Sequence, residues 1–196
     1  MKQIVNVGGT GSGKTNRTKQ TLATLQGLPF FIYDVNNEYS EYRGLTGLLP
    51  SEFIAKTKHI EKSVIVYEEA SMFIKHNNRD EDIERLMVRK RHMSNFLIFN
   101  FHSLRMVPLW VLDYTDYLIL HETNDNPKNI ETKFSDYEKI YTGFNALKSI
   151  TSIVNKNAYK IPIGFSKKFS NGVEFKRVKD AKGIERNIFE LFVKLR

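Results

Sequence analysis

The 196-residue chain has no cysteine, which removes disulfides, thiolate catalysis and cysteine-ligated zinc or iron–sulfur centres in one step. No uncharged apolar run approaches the roughly 18 residues that cross a bilayer. The amino terminus lacks a secretory pattern, because Lys2 is followed only by a short apolar run to Val7 and then by glycines. Internal repeats and low-complexity linkers are missing too, so one domain over residues 1–196 is expected. Apolar residues at 41% and charged residues at 27% exclude wholesale disorder and leave enough for a buried core. Acid is in deficit: 30 Lys and Arg against 22 Asp and Glu leave a net charge of +8, which points to a polyanionic partner.

Residues 3–7 read as a strand, residues 8–13 as a glycine-rich loop and residues 14–26 as a helix closed by Gly27 and Pro29. Further strands are expected at 30–33, 63–67, 96–101 and 117–120, with helices over 80–93 and, briefly, 108–113. The continuous apolar character of 63–67 suits a parallel strand covered on both faces. Such alternation predicts an α/β sheet of mainly parallel strands flanked by helices. Core elements fill about residues 1–122, and 123–196 form an extension packed on them. In that extension a helix is expected from 129 to about 147, a hairpin around Asn171-Gly172 flanked by Phe169 and residues 173–178, and a closing amphipathic helix over 184–195 on the spacing of Ile188, Leu191, Phe192 and Leu195.

The chemistry begins at Gly8-Gly9-Thr10-Gly11-Ser12-Gly13-Lys14-Thr15, which fits glycine, four free positions, then Gly-Lys-Thr, between a strand and a helix. Backbone N–H groups around Gly11 to Lys14 wrap a phosphate only where side chains are absent from the tight part of the loop. Lys14 is expected on the β- and γ-phosphates, the Thr15 hydroxyl on Mg²⁺, and the positive helix end faces the phosphates. Gly9, Thr10, Gly11, Ser12, Gly13, Lys14, Thr15 and Asn16 form the expected ATP cradle. A dinucleotide-binding reading of Gly9 and Gly11 leaves Lys14-Thr15 unexplained and lacks its third glycine.

A P-loop enzyme also needs an acid on the metal side and another carboxylate to orient the attacking water. Glu68 and Glu69 end the third strand and supply both, with Glu68 where an aspartate is expected and Glu69 as general base. Two glutamates opening a helix would also complement its dipole. Placement at the carboxyl end of a buried strand, where doubly wound sheets bind ligands, favours catalysis.

The glycine-rich loop, the segment Tyr33-Asp34-Val35-Asn36-Asn37-Glu38-Tyr39 and Glu68-Glu69-Ala70 together resemble the FtsK/HerA superfamily of DNA-pumping ATPases. The order of elements is similar, and the small size and basic charge look most like the genome-packaging ATPases of membrane-containing icosahedral viruses. The resemblance covers about residues 3–122 and implies a RecA-like (ASCE) P-loop fold, ATP with Mg²⁺, double-stranded DNA held through its phosphates, and a homo-hexameric ring. It further implies a capsid vertex or virion membrane protein as partner, and a location in the host cytoplasm or on the virion. Arg91 and His92, ahead of the fourth strand, are similar to the family's arginine-bearing segment, which makes Arg91 the expected finger, with Arg89 and Arg105 as alternatives. His102 stands where the family's sensor glutamine is expected.

The charged run around Arg85, Arg89, Lys90 and Arg91 also fits a solvated helix face. In the tail, Lys148, Lys156, Lys160, Lys167, Lys168, Lys176, Arg177 and Lys179 interleave with Tyr159, Phe165, Phe169 and Phe175, a pattern that suits single-strand stacking or edge-strand protection. Two other functions stay open on these residues: an NTPase of filamentous-phage assembly or single-strand export, and a small-molecule kinase.

Overall fold

A computed structural model describes residues 1–75, 79–157, 166–169, 173–178 and 188–195. Its centre is an eight-stranded sheet in the order β2-β3-β4-β1-β5-β8-β7-β6. The first five strands, β1 (Gln3–Val7), β2 (Phe30–Tyr33), β3 (Val64–Tyr67), β4 (Phe96–Phe101) and β5 (Tyr117–Leu120), are mutually parallel. Apart from the buried Gln3, Asn6 and Asn100 they are apolar, and nearly all their residues are buried, as suits strands covered on both faces. β6 (Ser166–Phe169), β7 (Val173–Val178) and β8 (Ile188–Lys194) add an antiparallel meander beside β5.

Helix α1 (Lys14–Thr24) covers one face, where Leu22 packs with Ile32, Val64, Val66 and Ile98. The other face carries α2 (Pro50–Thr57), α3 (Glu81–Arg89), α4 (Leu109–Leu112), α5 (Pro127–Lys133) and α6 (Glu138–Asn157), through Phe53, Ile83, Trp110, Ile130 and Phe144. α3 shows why such helices form. Asp80 caps it by accepting from the Ile83 N–H at 3.0 Å, acids fill its first turn, and Ile83, Leu86 and Met87 make its buried stripe. Below the ends of β2, β3 and β4 the rings of Tyr33, Phe53, Tyr67, Phe73 and Phe99 pack together, with Tyr67 and Phe99 stacked at 4.8 Å. That rigid platform underlies Glu68 and Glu69.

The α/β sheet of mainly parallel strands is as the sequence predicts. Two expectations in the extension are corrected. The helix read over 129–147 is two helices, broken between Lys133 and Glu138, and the closing helix read over 184–195 is the strand β8. Leu191 and Val193 of this strand are buried against α6 at Gly143, while Glu190 and Phe192 meet Arg17 of α1. Ile188, Leu191, Phe192 and Leu195 also fall at helix-like intervals, so the strand's sequence imitates a helical stripe. The β6–β7 hairpin forms with Phe169 opposite Val173, while Asn171, Gly172 and Ile184 lie outside the described residues.

Candidate nucleotide site

β4 lies between the loop-bearing strand β1 and the acid-bearing strand β3, so all three carboxyl ends open on one place. The loop leaves β1 anchored on both sides: the Gly8 N–H donates to the Phe101 carbonyl at 3.0 Å and the Gly9 N–H to the Glu122 carbonyl at 2.8 Å. Gly11 and Gly13 then take φ of +74° and +108°, left-handed conformations that side chains resist. The Ser12 N–H turns inward to the Gly9 carbonyl at 3.2 Å. Gly9 and Ser12 therefore spend their N–H groups on the fold, and the cradle falls to the rest of the turn and to the first N–H groups of α1, which no helix satisfies internally.

Lys14 is 92% buried by its 8% exposure, and its ammonium donates to the Gly8 and Gly9 carbonyls at 2.7 and 3.1 Å. Burial lowers its pKa, while Glu68, Glu69 and Glu38 act to keep it charged. The Thr15 hydroxyl lies between two carboxylates, 3.1 Å from Glu38 and 3.2 Å from Glu68. Glu68 is itself buried and receives Tyr39 and Asn100 on its second oxygen. Burial pushes its carboxyl above the usual range, and the hydrogen bonds from Tyr39, Asn100 and Thr15 oppose that rise. Glu69 is partly exposed and pairs with His102 Nε2 at 2.7 Å.

Sequence reasoning did not assign Tyr39, Asn100, Asn6, Thr18 or Asp34 a role. Asn6 and Asn100 are opposite each other in the β1–β4 register, joined at 2.7 Å, and Asn100 also donates to Thr18 of α1 at 2.9 Å. Two asparagines inside apolar strands were the available signal, since polar groups survive there only when paired. Buried Asp34 accepts from the Glu38 and Tyr39 N–H groups at 2.9 and 2.8 Å, and so fixes the turn that delivers both side chains.

The arginines separate. Arg89, the last residue of α3, and Arg91, just beyond it, are exposed ahead of β4 at the end of the sheet opposite the loop. Arg105 lies at the loop end and lines a polar cleft of about 450 Å³ with Gly9, Thr10, His102, Ser103 and Asn126. The backbone there is pinned by Asp125, which accepts from the Leu104 and Arg105 N–H groups at 2.7 and 3.4 Å, and by Lys133, which donates to the Arg105 and Val107 carbonyls at 2.5 and 2.6 Å. Burial brings the Lys133 ammonium down to about 8, against the pull of Asp125. Asn16 borders the loop from the first turn of α1.

A buried ammonium, a hydroxyl between carboxylates and a left-handed glycine turn at a helix start are together a donor set that fits a magnesium–triphosphate. Among the described residues no helix is long and apolar enough to cross a membrane. No protein-family model matches the chain, and no curated protein does. Solved structures do. B204, the DNA-packaging ATPase from Sulfolobus turreted icosahedral virus, superposes with a TM-score of 0.60 at 13% identity over 97% of this chain and 96% of its own. The genome packaging NTPase B204 from Sulfolobus turreted icosahedral virus 2 does so in complex with AMPPCP at 0.58 and 18% identity, over 69% of this chain and 83% of that one. Its complex with ATP-gammaS gives 0.56 and 19%, over 69% and 82%. In architecture, from the loop after β1 to the antiparallel strands that end the sheet, this chain shares the P-loop NTPase fold of B204.

Proposed function

We propose that the chain is an ATP hydrolase that drives double-stranded DNA into a preformed viral capsid, working as a homo-hexameric ring at a capsid vertex or beside a virion membrane protein. The observation that carries the reading is the convergence of Lys14, Thr15, Glu68, Glu69 and His102 at one end of the sheet. The fold shared with a genome packaging NTPase supports the motor part of it.

In this reading Lys14 and the backbone of residues 10–16 hold the triphosphate, and Thr15 with Glu68 holds Mg²⁺, while Glu38 stands on the other side of the Thr15 hydroxyl. When bound, the metal neutralises charge that develops on the phosphate oxygens. Glu69, less buried than Glu68, orients a water and accepts its proton. His102 holds Glu69 in place and takes the sensor role that the resemblance gives to a glutamine. Arg91 is exposed and remote from its own loop, so it serves only a neighbouring subunit's site, whereas Arg105 borders its own. A translocating enzyme must accept every sequence, so its DNA contacts go to phosphates.

The test is ATP turnover by the full chain with duplex DNA, single-stranded DNA or neither, titrated with salt. Stimulation by duplex, with affinity falling at a slope of about −0.9 for each phosphate neutralised, is the expected result. Unchanged turnover with any nucleic acid, or phosphorylation of a nucleoside or metabolite instead, overturns the reading.

A further inference from the structure

Glu190 on β8 is fully buried, and its carboxylate is taken by both forks of one guanidinium: Arg17 Nε donates at 3.0 Å, and Nη2 reaches the second oxygen. Arg17 belongs to the first turn of α1, next but one to Thr15, and its own N–H donates to the Gly13 carbonyl at 2.9 Å. The guanidinium also lies 5.0 Å from the ring of Phe192, whose other neighbour is the Lys176 ammonium at 4.8 Å. In the β5–β8 register Leu120 opposes Leu191, which puts Glu190 beside His121 at the loop end of the sheet.

Net stability is a weak account of this pair, because a buried ion pair is commonly matched or surpassed by apolar residues of similar volume. The bidentate fork supplies a positional use, because it fixes direction as well as distance. Arg17 cannot keep both bonds while α1 rotates or slides, and the same short stretch of helix aims Lys14 and Thr15.

We propose that Arg17 and Glu190 are positioning residues that clamp the start of α1 to the C-terminal strand, so that triphosphate in the loop and docking of β8 reinforce one another. The inference rests on the triphosphate reading of the loop. By linkage it gives the extension a duty: nucleotide tightens β8, and a loosened β8 weakens nucleotide by the same factor.

The test uses the full chain in three further forms, Glu190→Gln, Arg17→Lys and the double variant Arg17→Met with Glu190→Leu. Each is measured for equilibrium binding of a fluorescent ATP analogue with Mg²⁺, for kcat and KM, for melting temperature, and for amide exchange over residues 188–194 with and without nucleotide. The expected result is that nucleotide slows exchange across β8 in the unaltered chain and that this response vanishes in the double variant. The double variant melts no lower than the parent, yet binds about tenfold more weakly, within the usual range of such couplings. Arg17→Lys, which keeps the charge but loses the fork, weakens binding with a raised KM and little change in kcat. Parental affinity in the double variant, or exchange in β8 that ignores nucleotide, overturns the proposal. Should the double variant fail to fold, the affinity and exchange of Glu190→Gln decide by the same criteria. Failure of the unaltered chain to bind nucleotide at all would instead strike the triphosphate reading itself, and the clamp with it.

Discussion

Tyr39 donates its phenolic hydrogen to Glu68 on one oxygen while Thr15 donates to the other, so the buried acid at the end of β3 is held by a loop on one side and by α1 on the other. That bond opposes the upward push that burial gives the Glu68 carboxyl. In Tyr39→Phe the carboxyl rises further, and the acid limb of the pH profile for kcat/KM shifts to higher pH. Mg²⁺-dependent turnover near neutrality falls about tenfold, the worth of one hydrogen bond to a charged group. An acid limb that does not move would mean that Tyr39 only packs.

Glu69 and His102 make the second prediction. Glu69→Gln keeps nucleotide binding and loses turnover by about 10²–10⁴, the range for a general base. His102→Gln retains most activity, because an amide can still hold the Glu69 carboxylate, and His102→Ala loses it. Single-turnover hydrolysis with a parallel binding measurement separates the two effects. Equal losses for Gln and Ala at position 102 would remove His102 from the sensor role.

The parallel core was legible because each signal was local: an apolar strand, a glycine turn, Lys14-Thr15, and then acids ending the third strand. The two carboxylates that end β3, by contrast, were readable as types but not as a contrast, since only the fold buries Glu68 and leaves Glu69 reachable. The bonds of Tyr39 and Asn100 to Glu68, and the Arg17–Glu190 pair, were not legible as contacts for a physical reason. They join residues 29, 32 and 173 positions apart, and nothing in the intervening chain encodes their meeting. β8 reads as a helix in the sequence because Phe192 breaks the alternation of a half-buried strand, and Ile188, Leu191, Phe192 and Leu195 fit a helical wheel as well.

Stability should depend on pH through Glu68 with a defined sign. Its folded-state pKa is raised, so between the ordinary carboxylate value and that raised value the folded chain binds the proton more tightly than the unfolded chain. Stability contributed by the protonated form is present at low pH and is lost as pH climbs through this window. Relative to Glu68→Gln, the parent therefore loses stability as pH climbs above the ordinary carboxylate value without nucleotide. Urea midpoints for both chains across that range measure it, and a difference that is flat or grows in the parent's favour contradicts the burial assignment.

Gly8 offers a test of the loop's packing that is independent of chemistry. A β-carbon there would lie 2.3 Å from Ser12 Oγ and 2.6 Å from His121 Cβ, both in the tight space where the loop leaves β1. Gly8→Ala is expected to cost about 1–3 kcal/mol as overpacking, which lowers the melting temperature by several degrees in a chain of this size. Its nucleotide affinity drops as well, since relief of the clash must displace Ser12. An unchanged melting curve would show that the loop is looser than this geometry.

Arg91 and Arg105 stand at opposite ends of the sheet, and the position of each dictates how it can act. Loss of a transition-state arginine costs about 10³-fold or more in turnover, so Arg91→Ala and Arg105→Ala are both expected to be nearly inactive alone. Mixing distinguishes them. When either is combined with a Lys14→Ala chain, a residue that works across subunits is restored, because the lysine-deficient chain lends its arginine to a neighbour with an intact loop. Arg91→Ala should therefore regain turnover in the mixture and Arg105→Ala should not. Recovery by Arg105→Ala would place that arginine in the neighbour's site, and absence of recovery by Arg91→Ala would return its helix end to the role of a solvated surface.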